Sequence, residues 1–137
     1  FAVDYGYLVE VRTDLQRAAD AAALAAVRDL IPGPYGYQNF WQARSTALAY
    51  ARQNLEDATF NIAEDDIAFG RFDPDTIYSQ VTLLPTGTCD AVRVTLRRDG
   101  VTNPRVGLFF ACVLGTETSE VVASATAVLQ KAEIMQP

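Results

Sequence analysis

The sequence predicts an α+β fold in which an N-terminal helical hairpin packs on one face of an antiparallel, roughly five-stranded meander sheet. Three observations carry that prediction. Apolar residues recur at the helical period through about residue 55, Pro32-Gly33-Pro34 interrupts that stretch, and after Glu56 the period drops to two. Helices first and antiparallel strands afterwards put the helices on one side of the sheet.

The first helix is expected over about residues 7–31, where Leu8, Val11, Leu15, Ala18, Ala22 and Ala25 form one stripe. Leu24 and Val27 open a second apolar face, so the helix should be one-sided at its start and sandwiched at its end. The run from Ala21 to Ala26 has high helix propensity, and its small side chains allow another backbone to come close. Pro32-Gly33-Pro34 stops it. A second helix over about 38–55 carries Phe40, Ala43, Ala47, Ala51 and Leu55 on one side, and the short loop makes the pair antiparallel.

Strands follow near 66–72, 77–84, 90–98, 105–114 and 120–131. Asp73-Pro74-Asp75-Thr76 has turn chemistry between the first two. In the third, Val92, Val94 and Leu96 alternate with Arg93, Thr95 and Arg97, which gives one buried and one wet face. The fourth is almost entirely apolar and is expected at the centre of the sheet. The fifth presents Ala123, Ala125 and Ala127 on one face, where a helix could pack closely.

The chain has 137 residues, half of them hydrophobic, and is read as one domain over 1–137 with a single core. A net charge of −6 argues against binding nucleic acid or an anionic lipid surface, which needs clustered Lys and Arg. Arg93, Arg97, Arg98 and Arg105 are the one dense basic spot, and a solvated sheet face accounts for them. Histidine is absent, which removes Ser-His and Cys-His nucleophile pairs and His-ligated metal sites. No run of about 20 apolar residues spans a bilayer.

Cys89 and Cys112 lack CxxC spacing, so they are either buried thiols or one disulfide. If the strands around Val94 and Leu108 pair through a turn at residues 100–104, the two cysteines fall within one residue of facing each other. Strict alternation would put them on opposite faces. A bulge after Thr86-Gly87-Thr88 could redirect Cys89, and a disulfide between adjacent strands is the expectation.

Val3-Asp4-Tyr5-Gly6, followed by the unbroken stretch Leu15-Gln16-Arg17-Ala18-Ala19-Asp20-Ala21-Ala22-Ala23-Leu24-Ala25-Ala26, resembles the TadE/TadG-like proteins of tight-adherence (Flp) pilus systems. The resemblance continues through Phe69-Gly70-Arg71-Phe72-Asp73, the stretch from Asp90 to Thr95 that includes Val92 and Val94, and the stretch from Val122 to Ala127. It implies a pilin-like layout and a bacterial protein whose membrane helix lies just upstream of Phe1. The domain would then sit outside the cytoplasm, in the periplasm or at the cell surface, anchored in the inner or cytoplasmic membrane. It implies other pilus-assembly proteins or further copies of the chain as partners, and no catalytic site, metal or cofactor. An oxidising location of that kind would let a disulfide persist.

Sharper readings of particular residues compete with plainer ones. Asp20, inside an apolar helical run, reads as a partner-binding charge or as an acid paired with an arginine or a backbone group. Glu64, Asp65 and Asp66, with Asp73 and Asp75, could ligate calcium, but turn and strand-entry chemistry explains them better. Tyr35, Tyr37, Phe40 and Trp41 form an exposed aromatic patch or, as expected here, the plug at the end of the hairpin. Three functions follow: a structural pilus-assembly component, an extracytoplasmic carbohydrate- or peptide-binding module, and an enzyme built on Asp65 and Asp66. The structural component is favoured by the resemblance, and the enzyme is disfavoured because adjacent strand positions point those two carboxylates apart.

Overall fold

The computed structural model describes residues 2–72, 81–83, 88–109, 115 and 118–129. Helix α1 spans Ala2–Arg28 and helix α2 spans Phe40–Leu55. A 3₁₀ turn over Glu64–Asp66 leads into strand β1, Ile67–Phe72. Then come β2 (Val81–Leu83), β3 (Ala91–Arg98), β4 (Val106–Gly107), β5 (Thr118–Ser119) and β6 (Val121–Val128). The α+β class holds: two helices pack against an antiparallel sheet.

Helix α1 already runs through Ala2 and Asp4, more than a turn before the position the apolar period indicates. It unwinds beyond Arg28 through i→i−3 bonds in which Asp29, Leu30 and Ile31 donate to Ala26, Val27 and Arg28 at 3.0, 3.1 and 3.2 Å. Pro32 then ends it. Helix α2 starts on Asn39, whose side chain accepts from the Gln42 N–H, and ends on Glu56 in the left-handed region at φ 52°.

The buried face of α1 is Leu15, Ala18, Ala19, Ala22, Ala23, Ala26, Val27 and Leu30. At about 100° per residue these positions cover roughly half of the helix circumference, far more than a single stripe. The helix needs that width because it packs against α2 and, on another side, against β6 and β3. The sandwiched second half expected from sequence is therefore present. Its second face is built by Ala19, Ala23 and Val27, whereas Leu24 is exposed and Ala25 half-buried.

Order within the sheet differs from a meander. The main sheet runs β2-β1-β3-β6, and β3 pairs with β6 along its whole length, from Ala91↔Val128 to Arg98↔Val121. Of the segment 105–114, expected as the central strand, the described residues place Val106 and Gly107 in a strand, paired with Ser119 and Thr118 in a separate two-stranded ladder. Residues 110–114 lie outside the described residues, as does the expected turn at 73–76.

The physical reason lies in the turn after β3. Asp99 Oδ1 accepts from the N–H groups of Val101 and Thr102, Gly100 takes φ +84°, and buried Asn103 donates to Arg97 O. Asn103 also exchanges two bonds with the backbone of Asn61, so the chain is drawn off the edge of β3 toward the loop beneath α2. Further on, the Phe109 N–H donates to Asp4 Oδ1 on α1 at 2.9 Å.

The core fills the space between helices and sheet. Val92, Val94 and Leu96 point inward at 0% exposure, and opposite them in register stand Ala127, Ala125 and Ala123. These small residues leave room for α1 over β6, as the sequence suggests. Gln16 Nε2 donates to Ser124 O at 2.9 Å, tying helix to strand. The outer face carries Arg93, bonded to Thr126, and Thr95 opposite Ser124, as expected for a wet face.

Ala22 at 0% exposure has no space for a larger side chain. Ala22→Leu should lower stability by about 1–3 kcal/mol through overpacking, while Leu24→Ala on the exposed side should stay within about 0.5 kcal/mol of the parent. Urea unfolding of the two variants measures both. Asp57 and Asp99 hold their carboxyls below the usual range, Asp57 chiefly through the Thr59 hydroxyl and N–H and Asp99 through the N–H groups of Val101 and Thr102. A depressed carboxylate stabilises the fold above its unfolded pKa, and that contribution disappears as pH falls below about 4. Asp57→Asn/Asp99→Asn should therefore flatten the loss of stability with acid, read as the change in urea midpoint between neutral and acidic pH.

Candidate functional site

The motif residues separate into three groups. Leu15, Ala19, Ala22, Phe69, Gly70, Val92 and Val94 are buried and build the core. Asp4 is buried as well, with its carboxylate accepting the Phe109 N–H, and Tyr7 packs edge-on to the Phe109 ring at 5.9 Å. Tyr5, Gly6, Asp20 and Leu24 are exposed. A Cβ added at Gly6 would meet nothing within 4 Å, so packing inside this domain places no demand for glycine there. Val3, Tyr5 and Val9 together leave the first half of α1 with apolar side chains in water.

Asp20 is not an arginine's partner. It accepts from Gln16 Nε2 at 3.1 Å, one helical turn earlier, and is otherwise solvated, so its burial cost never arises. Asp66 is held by Arg97, whose Nε lies 2.9 and 3.0 Å from its two oxygens, while Asp65 is exposed. Among the described residues no three acidic, Cys or His side chains converge as a metal site, and Asp73 and Asp75 lie outside them. The basic residues are engaged by partners: Arg98 with Asp57 at 3.9 Å and Arg105 with Glu120 at 3.3 Å, besides Arg93 and Arg97. Arg98 and Arg105 line an open hollow of about 440 Å³ between α1, the end of α2 and β4, opposite Asp14 and Glu56.

Cys89 is buried just before β3. Cys112, the other half of the expected disulfide, lies outside the described residues. What holds the backbone at Cys89 is Gln38, a residue to which sequence reasoning gives no role. Its Nε2 donates to Cys89 O at 2.6 Å and Leu30 O at 2.8 Å, and its Oε1 accepts the Cys89 N–H at 3.0 Å. One amide thus closes the hairpin loop and pins it to the sheet. Nothing in the sequence marks a surface-type glutamine for that task.

The aromatic cluster at this loop is not the expected plug. Only Phe40 turns inward, edge-on to Phe69 at 4.9 Å. Tyr35, Tyr37 and Trp41 are 88%, 81% and 74% exposed, and Ile31 joins them. Phe40 already fills the end of the hairpin, with Arg44 stacked over Phe69 at 5.0 Å, so the other rings have no interior left to enter. Beside them opens a hollow of about 710 Å³ bordered by Asp29, Asn39 and Gln42.

Comparison with known proteins bears on the first helix. Residues 1–29 match a family model described as "Putative Flp pilus-assembly TadE/G-like". The N-terminal segment is similar to that family. That match spans the motif from Val3 to Ala26 that carries the resemblance and stops where α1 unwinds. No curated protein and no solved structure matches the chain. No helix among the described residues is long and apolar enough to cross a membrane.

Because Gln38 makes three bonds at once, Gln38→Ala should cost roughly 1–3 kcal/mol. Gln38→Glu should cost at least as much, since it turns an oxygen toward two carbonyls. Denaturant midpoints give both values.

Proposed function

We propose that this chain is a non-catalytic structural component of tight-adherence (Flp) pilus assembly, presented outside the cytoplasm by a membrane helix upstream of Phe1. The observation that carries the reading is the TadE/G-like match over residues 1–29, which coincides with a helix whose second half is core and whose first half displays Val3, Tyr5 and Val9 to solvent. Tyr5 and Val9, one turn apart on the helix, form an exposed apolar patch that suits a partner protein or a second copy of the chain. Gly6 supports the same assignment, because its lack of a side chain serves no contact inside the domain and leaves the backbone open to close approach.

The architecture also supports a role without catalysis. Asp66, the better placed of the two carboxylates considered for chemistry, is taken by Arg97. The polar hollow between α1 and β4 has its arginines facing Asp57 and Glu120.

Deleting the gene in the bacterium that carries it should abolish Flp pili seen by electron microscopy, and the wild-type gene should restore them. The full-length protein should fractionate with membranes and be cleaved by protease added outside the cytoplasmic membrane. Tyr5→Ala/Val9→Ala should restore fewer pili at unchanged protein abundance. Normal piliation of the deletion strain would refute the assignment.

A further inference from the structure

We propose that the tip of the helical hairpin is a carbohydrate-binding site, with Tyr37 and Trp41 as the stacking platform and Asp29 as an acceptor for sugar hydroxyls. Three aromatic rings within seven residues stand in water, at 88%, 81% and 74% exposure for Tyr35, Tyr37 and Trp41. Large apolar surface left outside a core that is otherwise well filled marks a binding surface. Tyr37 and Trp41 border a hollow of about 710 Å³ with a mixed lining, which is the ordinary make-up of a ligand site, apolar faces with a few polar groups among them.

The polar groups select the ligand. Asp29 borders this hollow, and its Oδ2 has no hydrogen-bond donor among the described residues, which leaves the carboxylate with unused acceptor capacity. Two kinds of donor would serve, a hydroxyl or a cationic side chain. Arg28 lines the same hollow and forms no ion pair among the described residues. Its charge offsets that of Asp29, so a lysine or arginine of a partner protein would gain little net attraction on entering. A hydroxyl-rich neutral ligand avoids that conflict: its O–H groups donate to Asp29 and accept from Arg28. The apolar C–H face of a pyranose ring then covers Tyr37 or Trp41, as flat rings of this kind combine a large contact area with few torsions to freeze.

The tip is built to hold its shape. Gln38 clamps it to Cys89 and Leu30, Gly33 N–H donates to Tyr37 O at 3.2 Å, and Gly36 N–H donates to Gly33 O at 2.9 Å with Gly36 at φ +78°. A loop already ordered loses little entropy on binding.

Trp41 is the only tryptophan in the chain, so its fluorescence reports on this site alone. The protein would be titrated with cellopentaose, maltopentaose and chitopentaose to about 20 mM, with pentalysine as the competing probe. At least one sugar should shift or quench the emission saturably, with a Kd on the order of 1 mM or tighter. Tyr37→Ala and Asp29→Ala should each weaken it about tenfold, with thermal unfolding of the exposed-site variant Tyr37→Ala unchanged. No response to any of the three sugars would overturn the proposal, as would a response to pentalysine alone or sugar binding indifferent to Tyr37→Ala. The site does not depend on membrane presentation, so loss of piliation and loss of sugar binding are separate results.

Discussion

The close approach of α1 to two neighbours at once is the constraint on which the rest of the domain depends. Ala18, Ala19, Ala22, Ala23 and Ala26 are all essentially without exposure, and between them they face both α2 and the sheet. Alanine contributes little apolar area by itself, so the gain comes from letting larger groups around it meet: Leu15, Leu30, Val92, Val94 and Leu96 are fully buried in the same cluster. Small residues on all three partners make this possible, since α2 contributes Ala43, Ala47 and Ala51 and β6 contributes Ala123 and Ala127. A close-packed interior of this kind has no slack for a longer side chain, which is why the alanines are broken only at Asp20 and Leu24, both exposed.

Tight packing of helices on a sheet leaves the connecting loops to be secured separately, and side chains bonding to backbone do this. Gln38 fixes the hairpin loop, Arg44 donates to Glu64 O and Ile67 O, and Arg52 donates to Phe60 O. Asn103 joins the turn after β3 to the loop after α2. Each polar head satisfies carbonyl or amide groups that turns leave without ladder partners. The net value of each bond is modest, yet together they hold these loops in place, and the shape of the hairpin tip follows from the first of them.

These two layers are not equally legible in the sequence. Periodicity reports which positions face an apolar neighbour, so the α+β class, the helical hairpin, the inward Val92, Val94 and Leu96 and the small face of β6 can all be read from the order of residues. It does not report how many neighbours a helix has, and Ala19, Ala23 and Ala26 therefore escape it while exposed Leu24 looks like core. Strand order is obscured for a related reason. An apolar run from Val106 onward looks central, but the partner of β3 is chosen by Asp99, Gly100 and Asn103, polar residues whose effect depends on Asn61, which is 42 positions away from Asn103 in the chain. Gln38 is the clearest case, because a glutamine is equally at home in water and only its 51-residue reach to Cys89 reveals its function. Aromatic residues at the hairpin tip invite the assumption that rings belong inside. Phe40 alone has room to go there.

Helix α1 connects two surfaces of different character. With 27 residues at about 1.5 Å each, it separates its first turn from the hairpin tip by roughly 40 Å. Tyr5 and Val9 lie at one end, within the segment that matches the TadE/G-like model, and Trp41 and Tyr37 at the other, beyond the match. The rigid alanine-packed body between the ends transmits position, since neither end can move relative to the other without opening that contact. Assembly contacts and ligand contacts would then occupy separate poles of one structural element, and substitutions at one pole would leave the other unaffected.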